Sequence, residues 1–454
     1  MTVPQDSTRP SSNSSRSLRF RVATGFGSLA RTASRALGRG SGGMIGGRVA
    51  LALAPNVLSE VSRGCRCVTV TGTNGKSTTT RMIRAALSTR GQVASNVNGD
   101  NMPPGIVSAF MMAPRAQFAA LEVDEMHLPI VAGQVNPAVM VLLNLSRDQL
   151  DRVGEIGTVE RRLRQAVNAH PDATIVANCD DPLIASAAWD AKSVIWVAAG
   201  TTWGADSAGF PRGGRLVRQG DDWHVVGADH PYRRPEPDWW LEKVEASGQA
   251  TLRSREGHAT DVKLNLPGAA NLGNAAHAIV AAHQVGVDID DASRAIGEVR
   301  EVAGRYSTHE VNGRRVRMML AKNPAGWQEA MTMVDATANG LVIAVNGQIP
   351  DGEDLSWLWD VDFSVLQQYP CAERVVASGE RAADLAVRLE YAGIHCECVP
   401  DTIEALTRCA EGRIEFLANY TSFRDTKREI DRREKERHAG TQSTQTTAEG
   451  GRDE

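Results

Sequence analysis

The stretch "VTVTGTNGKSTTTRMIRAAL", Val68 to Leu87, runs from a β-branched apolar segment through a glycine-bearing turn into a helical pattern. A strand that delivers Gly72, Thr73, Asn74 and Gly75 to a helix beginning near Lys76 aims several backbone N–H groups and a helix N-terminus at one point. That is an anion site. Lys76 adds a mobile positive charge suited to β and γ phosphates, and Ser77 or Thr78 offers a hydroxyl to Mg²⁺. The longer phosphate-loop pattern asks for a glycine where this chain has Val70, so the match is to the shorter "GTNGKST" form. Gly-Lys-Ser in an ordinary turn carries little information; its placement between an apolar strand and a helix is what points to phosphate.

Two later strand ends agree. "ALEVDE" brings Glu122 to the carboxyl end of a hydrophobic strand, where open α/β sheets bind ligands. A carboxylate there suits the Mg²⁺ that bridges nucleotide phosphates; the alternative is a surface charge capping the next helix. "LLNLSRDQLDRVGE" places Asn144, Arg147, Asp148, Gln149, Asp151 and Arg152 past the next strand, a polar cluster that equally suits a solvated loop.

The elements that position these residues alternate. "CVTVTG", "AQFAALEVDE", "AVMVLLNLS" and "ATIVAN" are short β-rich runs separated by helical stretches, the pattern of a doubly wound parallel sheet. A second series runs from "RVRMMLAKNPAG" through "GLVIAVNGQ", "ERVVASG", "IHCECVP" and "IEFLANYTS". The chain therefore reads as a disordered tail over 1–17, a basic helical arm over 18–63, a central α/β domain over 64–303, a second α/β domain over 304–425 and a disordered tail over 426–454. A Gly-, Arg-, Asp- and Trp-rich insertion, 204–242, fits neither sheet.

At 454 residues, with a formal net charge of −4 and a pI near 6.2, the chain is long enough for two cores and has no nucleic-acid-like basic excess. Its seven cysteines do not form a disulfide scaffold, which places it in a reducing, cytoplasmic compartment. No apolar run reaches the roughly 20 residues that span a bilayer. Between Asp6 and Glu60 there is no acidic residue, while Arg16, Arg19, Arg21, Arg31, Arg35, Arg39 and Arg48 recur among apolar neighbours. Such an arm suits an anionic membrane surface, or a helix packed on its own domain; an organellar transit peptide is a third reading.

"GTNGKST", the strand glutamate, "NLSRDQLDR", "NCDDP" (Asn178–Pro182) and "GAANLGNAAHA" (Gly268–Ala278) follow in the order seen in Mur ligases, the ATP-dependent amide-forming enzymes of peptidoglycan synthesis. Within them the chain resembles the MurT family, the synthetase subunits of lipid II isoglutaminyl synthase, from about residue 18 to 425. "GDNMPPG", "GRYSTHE", "AKNPAG", "DGEDLSWLWDVDF" and "ANYTS" carry that likeness, as does Gln149 where ordinary Mur ligases usually have histidine.

The resemblance implies a Mur ligase-type central ATPase domain and a Rossmann-like C-terminal domain. Gly72, Thr73, Asn74, Gly75, Lys76, Ser77 and Thr78 hold the ATP phosphates in it, Thr78 and Glu122 hold Mg²⁺, Asn271 touches the adenine, and Arg305 reaches ATP from the C-terminal domain. Lys322 and Asn323 fall at a motif that faces the site. The implied reaction amidates the α-carboxylate of D-glutamate in the lipid II stem peptide to D-isoglutamine, through an acyl phosphate and ammonia. No cysteine here lies on the strand-to-helix turn that a class I glutaminase needs, so a separate glutaminase resembling GatD is implied. Asp354 in "DGEDLSWLWD" matches the aspartate thought to complete that partner's Cys-His pair; by itself it reads as a loop or N-cap aspartate. Trp357, Trp359 and Phe363 suit core positions or an interface anchor.

Relatives carry a four-cysteine zinc ribbon in the insertion, where this chain has Phe210, Gly213, Val225 and Ala228. His224, Asp229 and His230 are too few and wrongly spaced to replace it, so no zinc is expected, with Trp223, Trp239 and Trp240 filling the space. Soluble Mur ligases begin with a domain that grips UDP, and the region before Gly64 is too short for one, which fits a lipid-linked substrate met at the inner membrane face. Two other readings are a free-standing amino-acid ligase and a scaffold with a vestigial ATP site.

Overall fold

The computed structural model describes residues 25–26, 43–96, 99–146, 156–200, 209–220, 222–245, 248–266, 268–300, 306–352 and 354–449. In the first α/β unit the strands are β1 (Arg66–Thr71), β2 (Val93–Ser95), β3 (Phe118–Glu122), β4 (Val139–Leu142), β5 (Thr174–Asn178) and β6 (Val194–Ala198). A separate hairpin of β7 (Arg215–Gln219) and β8 (Asp222–Val226) follows, then β9 (Trp239–Glu245), β10 (Gln249–Ser254) and β11 (Ala259–Lys263). The nine-stranded sheet has the order β11-β10-β9-β6-β5-β4-β1-β3-β2. Chain order reverses at β1, with β3 on one side and β4 on the other, and ligands of such sheets bind beyond the strand ends at that reversal.

Alternation along each strand decides what faces what. Val68 and Val70 point with Val139 and Val141 into a core shared with helices Lys76–Ser88 and Ala269–Gln284, which contribute Met82, Ile83, Leu87, Leu272 and Ile279. Cys67, Leu121, Met140 and Leu142 face the opposite core, built with helices Pro103–Met112 and Leu128–Val135. Helix Gly43–Leu53 lies against Pro103–Met112 so closely that a Cβ on Gly47 would overlap the Pro104 carbonyl, and Gly47 N–H donates to Ser108 Oγ at 3.0 Å. From Gly43 on, the basic arm is thus packed on its own domain, while Phe26 is exposed; residues 1–24 and 27–42 lie outside the described residues.

The insertion divides in two, which corrects its reading as a single piece outside both sheets. Among the described residues only the β7–β8 hairpin stands apart, whereas β9 pairs in parallel with β6 and antiparallel with β10 inside the main sheet. Trp223 belongs to the hairpin; Trp239 and Trp240 belong to β9 and do not fill it.

The second unit carries β12 (Tyr306–Val311), β13 (Arg314–Leu320), β14 (Gly340–Ala344), β15 (Val375–Ser378), β16 (Cys396–Cys398) and β17 (Gly412–Ala418). They form one sheet in the order β12-β13-β17-β14-β15-β16, all parallel except β12. Trp357 and Phe363 are core residues there, Trp357 stacking on Trp327, while Trp359 is exposed against Tyr391. The last helix, Tyr420–Glu449, runs past residue 426, from which composition reads as a tail. Its polar turns are laced by ion pairs at helical spacing, Lys427 with Asp431 and Arg432 with Glu429 and Glu436.

Candidate active site

β1 ends in a loop whose backbone no larger residue could follow. Gly72 has φ +136°, and a Cβ on it would stand 2.9 Å from the Asn144 carbonyl oxygen. Gly75 has φ +84° and starts helix Lys76–Ser88; a Cβ there would come within 2.5 Å of Asn274 Oδ1. Between them the loop is tied to the end of β4. Thr73 N–H donates to Asn144 O at 2.8 Å, Asn74 N–H to Asn144 Oδ1 at 2.9 Å, and Asn144 Nδ2 returns to Asn74 O at 3.1 Å. Thr73 Oγ1 and Ser146 exchange hydrogen bonds as well.

Lys76 is buried and curls into its own loop. Its ammonium donates to the Gly72 carbonyl, to Thr73 O at 3.2 Å and to Glu125 Oε1 at 2.9 Å. Glu125 was not singled out in the sequence. Thr78 is buried behind the loop, and Glu122, also buried, stands one strand away because Val70 and Glu122 are register partners. Asn96 fixes Glu122: its Oδ1 accepts from Glu122 N–H at 2.9 Å, and its Nδ2 donates to the carbonyls of Glu122 and Asp100. Burial, and then the charge of Glu122, pushes the Asp100 carboxyl up from its ordinary value. The two carboxylates, each within reach of the other's charge, and the buried Thr78 hydroxyl are hard oxygen donors of the kind Mg²⁺ takes.

Beside the loop lies a cavity of about 190 Å³, bordered by Asn74, Asn144, Asp181, Asn274, His277 and, from the C-terminal domain, Glu329. Asp181 caps helix Pro182–Ala188 through Leu183 and Ile184 N–H and also accepts from Leu145 N–H, clamping the β4 loop to the β5 end. Burial outweighs these three donors and raises its pKa to about 6. His277 donates from Nδ1 to Gly273 O at 2.9 Å, and burial pushes its pKa down to about 4, so the ring is neutral.

The structure therefore gathers Gly72 to Thr78 and Glu122 at one strand-helix corner. Asn271 sits behind Asn274, accepting from its amide at 3.4 Å, and it is Asn274 that borders the cavity. Arg305, Arg147, Asp148, Gln149, Asp151 and Arg152 lie outside the described residues. Asp354 is elsewhere, exposed in the loop before Trp357, where its Oδ1 accepts from Ser356 N–H at 2.8 Å. At the zinc-ribbon positions Phe210 and Val225 are buried with Trp223 in a small apolar cluster, and Trp223 Nε1 donates to Cys179 O at 3.0 Å.

Residues 70–207 match the Mur ligase middle domain and residues 320–423 the MurT ligase C-terminal domain. A protein of Streptococcus pneumoniae, named lipid II isoglutaminyl synthase (glutamine-hydrolyzing) subunit MurT, is 30% identical over 85% of this chain and 91% of its own length. Among solved structures, a pseudomurein peptide ligase type C from Methanothermus fervidus aligns with TM-score 0.62 at 19% identity, covering 81% of this chain and 79% of its own. A MurF ligase from Thermotoga maritima, solved in complex with ADP, aligns with TM-score 0.59 at 15% identity, over 83% of this chain and 81% of its own. The chain belongs to the MurT family of Mur ligases and is an ATP-dependent ligase.

Proposed function

We propose that this chain is the synthetase subunit of a lipid II isoglutaminyl synthase: it uses ATP to activate the α-carboxylate of D-glutamate in the lipid II stem peptide, and ammonia from a glutaminase subunit converts it to D-isoglutamine. The observation that carries this reading is the phosphate loop Gly72–Thr78 in a chain that shares 30% identity with a MurT subunit along 91% of that subunit's length.

A carboxylate resists an amine at neutral pH because oxide is too poor a leaving group. Transfer of the γ-phosphoryl group to the carboxylate oxygen gives an acyl phosphate; ammonia then attacks the carbonyl carbon and phosphate departs. The loop N–H groups and Lys76 hold the phosphates in line. The donor set of Thr78 and Glu122 fits Mg²⁺, whose chemistry is to neutralise charge on the phosphate oxygens. Asn74, Asn144 and Asn274 line the nucleotide cavity with neutral polar groups. Asn271 supports Asn274 from behind, and Arg305 is the residue proposed to reach ATP from the C-terminal domain.

The ammonia source lies outside this chain. Burial pushes the thiols of Cys371, Cys396 and Cys409 up to about 11 and that of Cys179 higher still, the opposite of an activated nucleophile. A partner resembling GatD supplies it, with exposed Asp354 offered to that partner's histidine. The hairpin is read as zinc-free, its apolar cluster replacing the metal. Among the described residues no helix is long and apolar enough to cross a membrane, so contact with the lipid-linked substrate is read as peripheral, at the inner face.

The test is amidation of lipid II by the chain co-purified with its glutaminase. Product that requires ATP and glutamine, and disappears with Lys76→Ala, supports the reading. Turnover with an amino acid and no partner sinks it in favour of a free-standing ligase, and absence of nucleotide binding sinks it in favour of a scaffold.

A further inference from the structure

The phosphate loop meets the C-terminal domain at a pair of carboxamides. Asn74 Nδ2 donates to Asn323 Oδ1 at 3.3 Å, and Asn323 Nδ2 donates to Asn74 Oδ1 at 3.4 Å, across 249 residues of sequence. Only a side chain that both donates and accepts can make this reciprocal pair. Each member is fixed from behind. The backbone of Asn74 is clasped on both its N–H and its carbonyl by the side chain of Asn144 at the end of β4. Asn323 is buried and is the N-cap of helix Pro324–Thr332, its Oδ1 accepting from Gly326 N–H at 2.8 Å. That one oxygen therefore takes a donor from its own helix and a donor from the phosphate loop. A Cβ on Gly326 would stand 3.2 Å from Asn323 Oδ1 and 3.8 Å from Asn74 Oδ1, so the helix start is seated directly over the loop. The same helix carries Ala325 and Glu329 to the wall of the nucleotide cavity.

We propose that Asn323 is a positioning residue for the phosphate loop: through Asn74 it holds the loop in its binding conformation, so that nucleotide affinity depends on the C-terminal domain being docked. The proposal rests on the reading of Gly72–Thr78 as a nucleotide site. With the backbone N–H and carbonyl of Asn74 held by Asn144 and its side chain held by Asn323, the path of the loop into Gly75 and Lys76 is preset before phosphate arrives. Preorganisation of this kind raises affinity by removing an ordering cost from the binding step.

Asn323→Ser separates the two jobs of this side chain. Serine keeps an N-cap acceptor for Gly326 N–H but is too short to reach Asn74. Asn74→Ala removes the other half of the pair, and Asn323→Thr serves as a second cap-preserving variant should the serine chain fail to fold. ADP affinity, measured by titration calorimetry with Mg²⁺ on the full chain, is expected to fall about 10-fold in each single variant, the loss of two neutral hydrogen bonds. In the double variant it should fall by about the same 10-fold, because the proposed effect of Asn323 on the loop runs through Asn74. KM for ATP should rise in parallel while kcat changes little. Independent effects that multiply to about 100-fold, or a cap-preserving variant with wild-type affinity, overturn the proposal while leaving the nucleotide reading intact. A wild-type chain that binds no ADP overturns both.

Discussion

Lys76 Nζ stands 2.9 Å from Glu125 Oε1, so the cation of the phosphate loop is neutralised by a carboxylate from the loop that follows β3. The two side chains are 10% and 14% exposed, and the ammonium also holds two carbonyls of its own loop. A phosphate arriving at the loop competes with Glu125 for that charge.

Glu125→Gln should shift this competition. The amide keeps a hydrogen-bond acceptor but removes the carboxylate charge beside the buried ammonium, at a cost of about 1–3 kcal/mol to the nucleotide-free protein. A polyphosphate restores the missing charge. The variant should melt below wild type alone and show a larger upward shift with ADP, with tighter ADP binding. Weaker ADP binding by the variant would mean that Glu125 belongs to the bound state, and the competition model fails.

Acid should expose a second feature of the cavity. Burial lowers the His277 pKa from 6.5 to about 4, so between those values the unfolded chain takes up a proton that the folded chain refuses. Stability from this residue therefore rises with pH across that window and is fully present above it. At most it amounts to about 3 kcal/mol. Asp181 works in the opposite sense: its pKa rises from 3.8 to about 6, so the folded state binds the proton and stability falls as pH climbs between those values. In the wild-type chain the two slopes offset. His277→Leu, which keeps volume and removes the titration, should leave a stability that declines from pH 4 to 6 when followed by urea midpoint. A variant with the wild-type slope removes His277 from the account.

What the sequence revealed and what it hid follow from distance along the chain. Gly72 to Thr78 are legible because strand, turn and helix start are contiguous, and Glu122 because it ends a strand in the expected place. Glu125 is three residues further on, yet nothing local says that it turns back to Lys76, 49 residues earlier. Asn96, Asn144 and Asn323 act through amide contacts 26, 70 and 249 residues long, which leave no period and no charge pattern. β9 was hidden in the same way: "WWLEKVE" follows a Gly- and Arg-rich hairpin and takes its identity from pairing with β6 and β10. The hairpin's apolar filling was legible, since Phe210 and Val225 stand where thiolates are absent, but its use of Trp223 alone was not.

That hairpin should hold without metal. Trp223 is 1% exposed, packs on Phe210 and donates to Cys179 O, so Trp223→Ala removes both a large apolar volume and a hydrogen bond that ties the hairpin to the sheet. A loss of about 3–5 kcal/mol is expected. EDTA should leave the wild-type melt unchanged. Stoichiometric zinc by metal analysis, or a melt lowered by the chelator, would show that other ligands rebuilt the site.

Asp354 tests the division of labour between this chain and its partner. Its carboxylate is exposed, and Oδ1 fixes the turn by accepting from Ser356 N–H. Asp354→Asn retains an oxygen for that hydrogen bond, so fold and complex should survive, as size-exclusion chromatography with the glutaminase would show. What the variant loses is the negative charge proposed to hold the partner's histidine in the productive tautomer and to stabilise its protonated form, a loss of about 10⁴-fold in the triad where it has been isolated. Glutamine-driven amidation should therefore collapse by a factor of that order. Ammonium chloride bypasses glutamine hydrolysis, so on the proposed division of labour ammonium-driven amidation should stay near wild type. Retention of the glutamine-driven rate would remove Asp354 from the partner's chemistry, and loss of both rates would place its effect on the synthetase reaction instead.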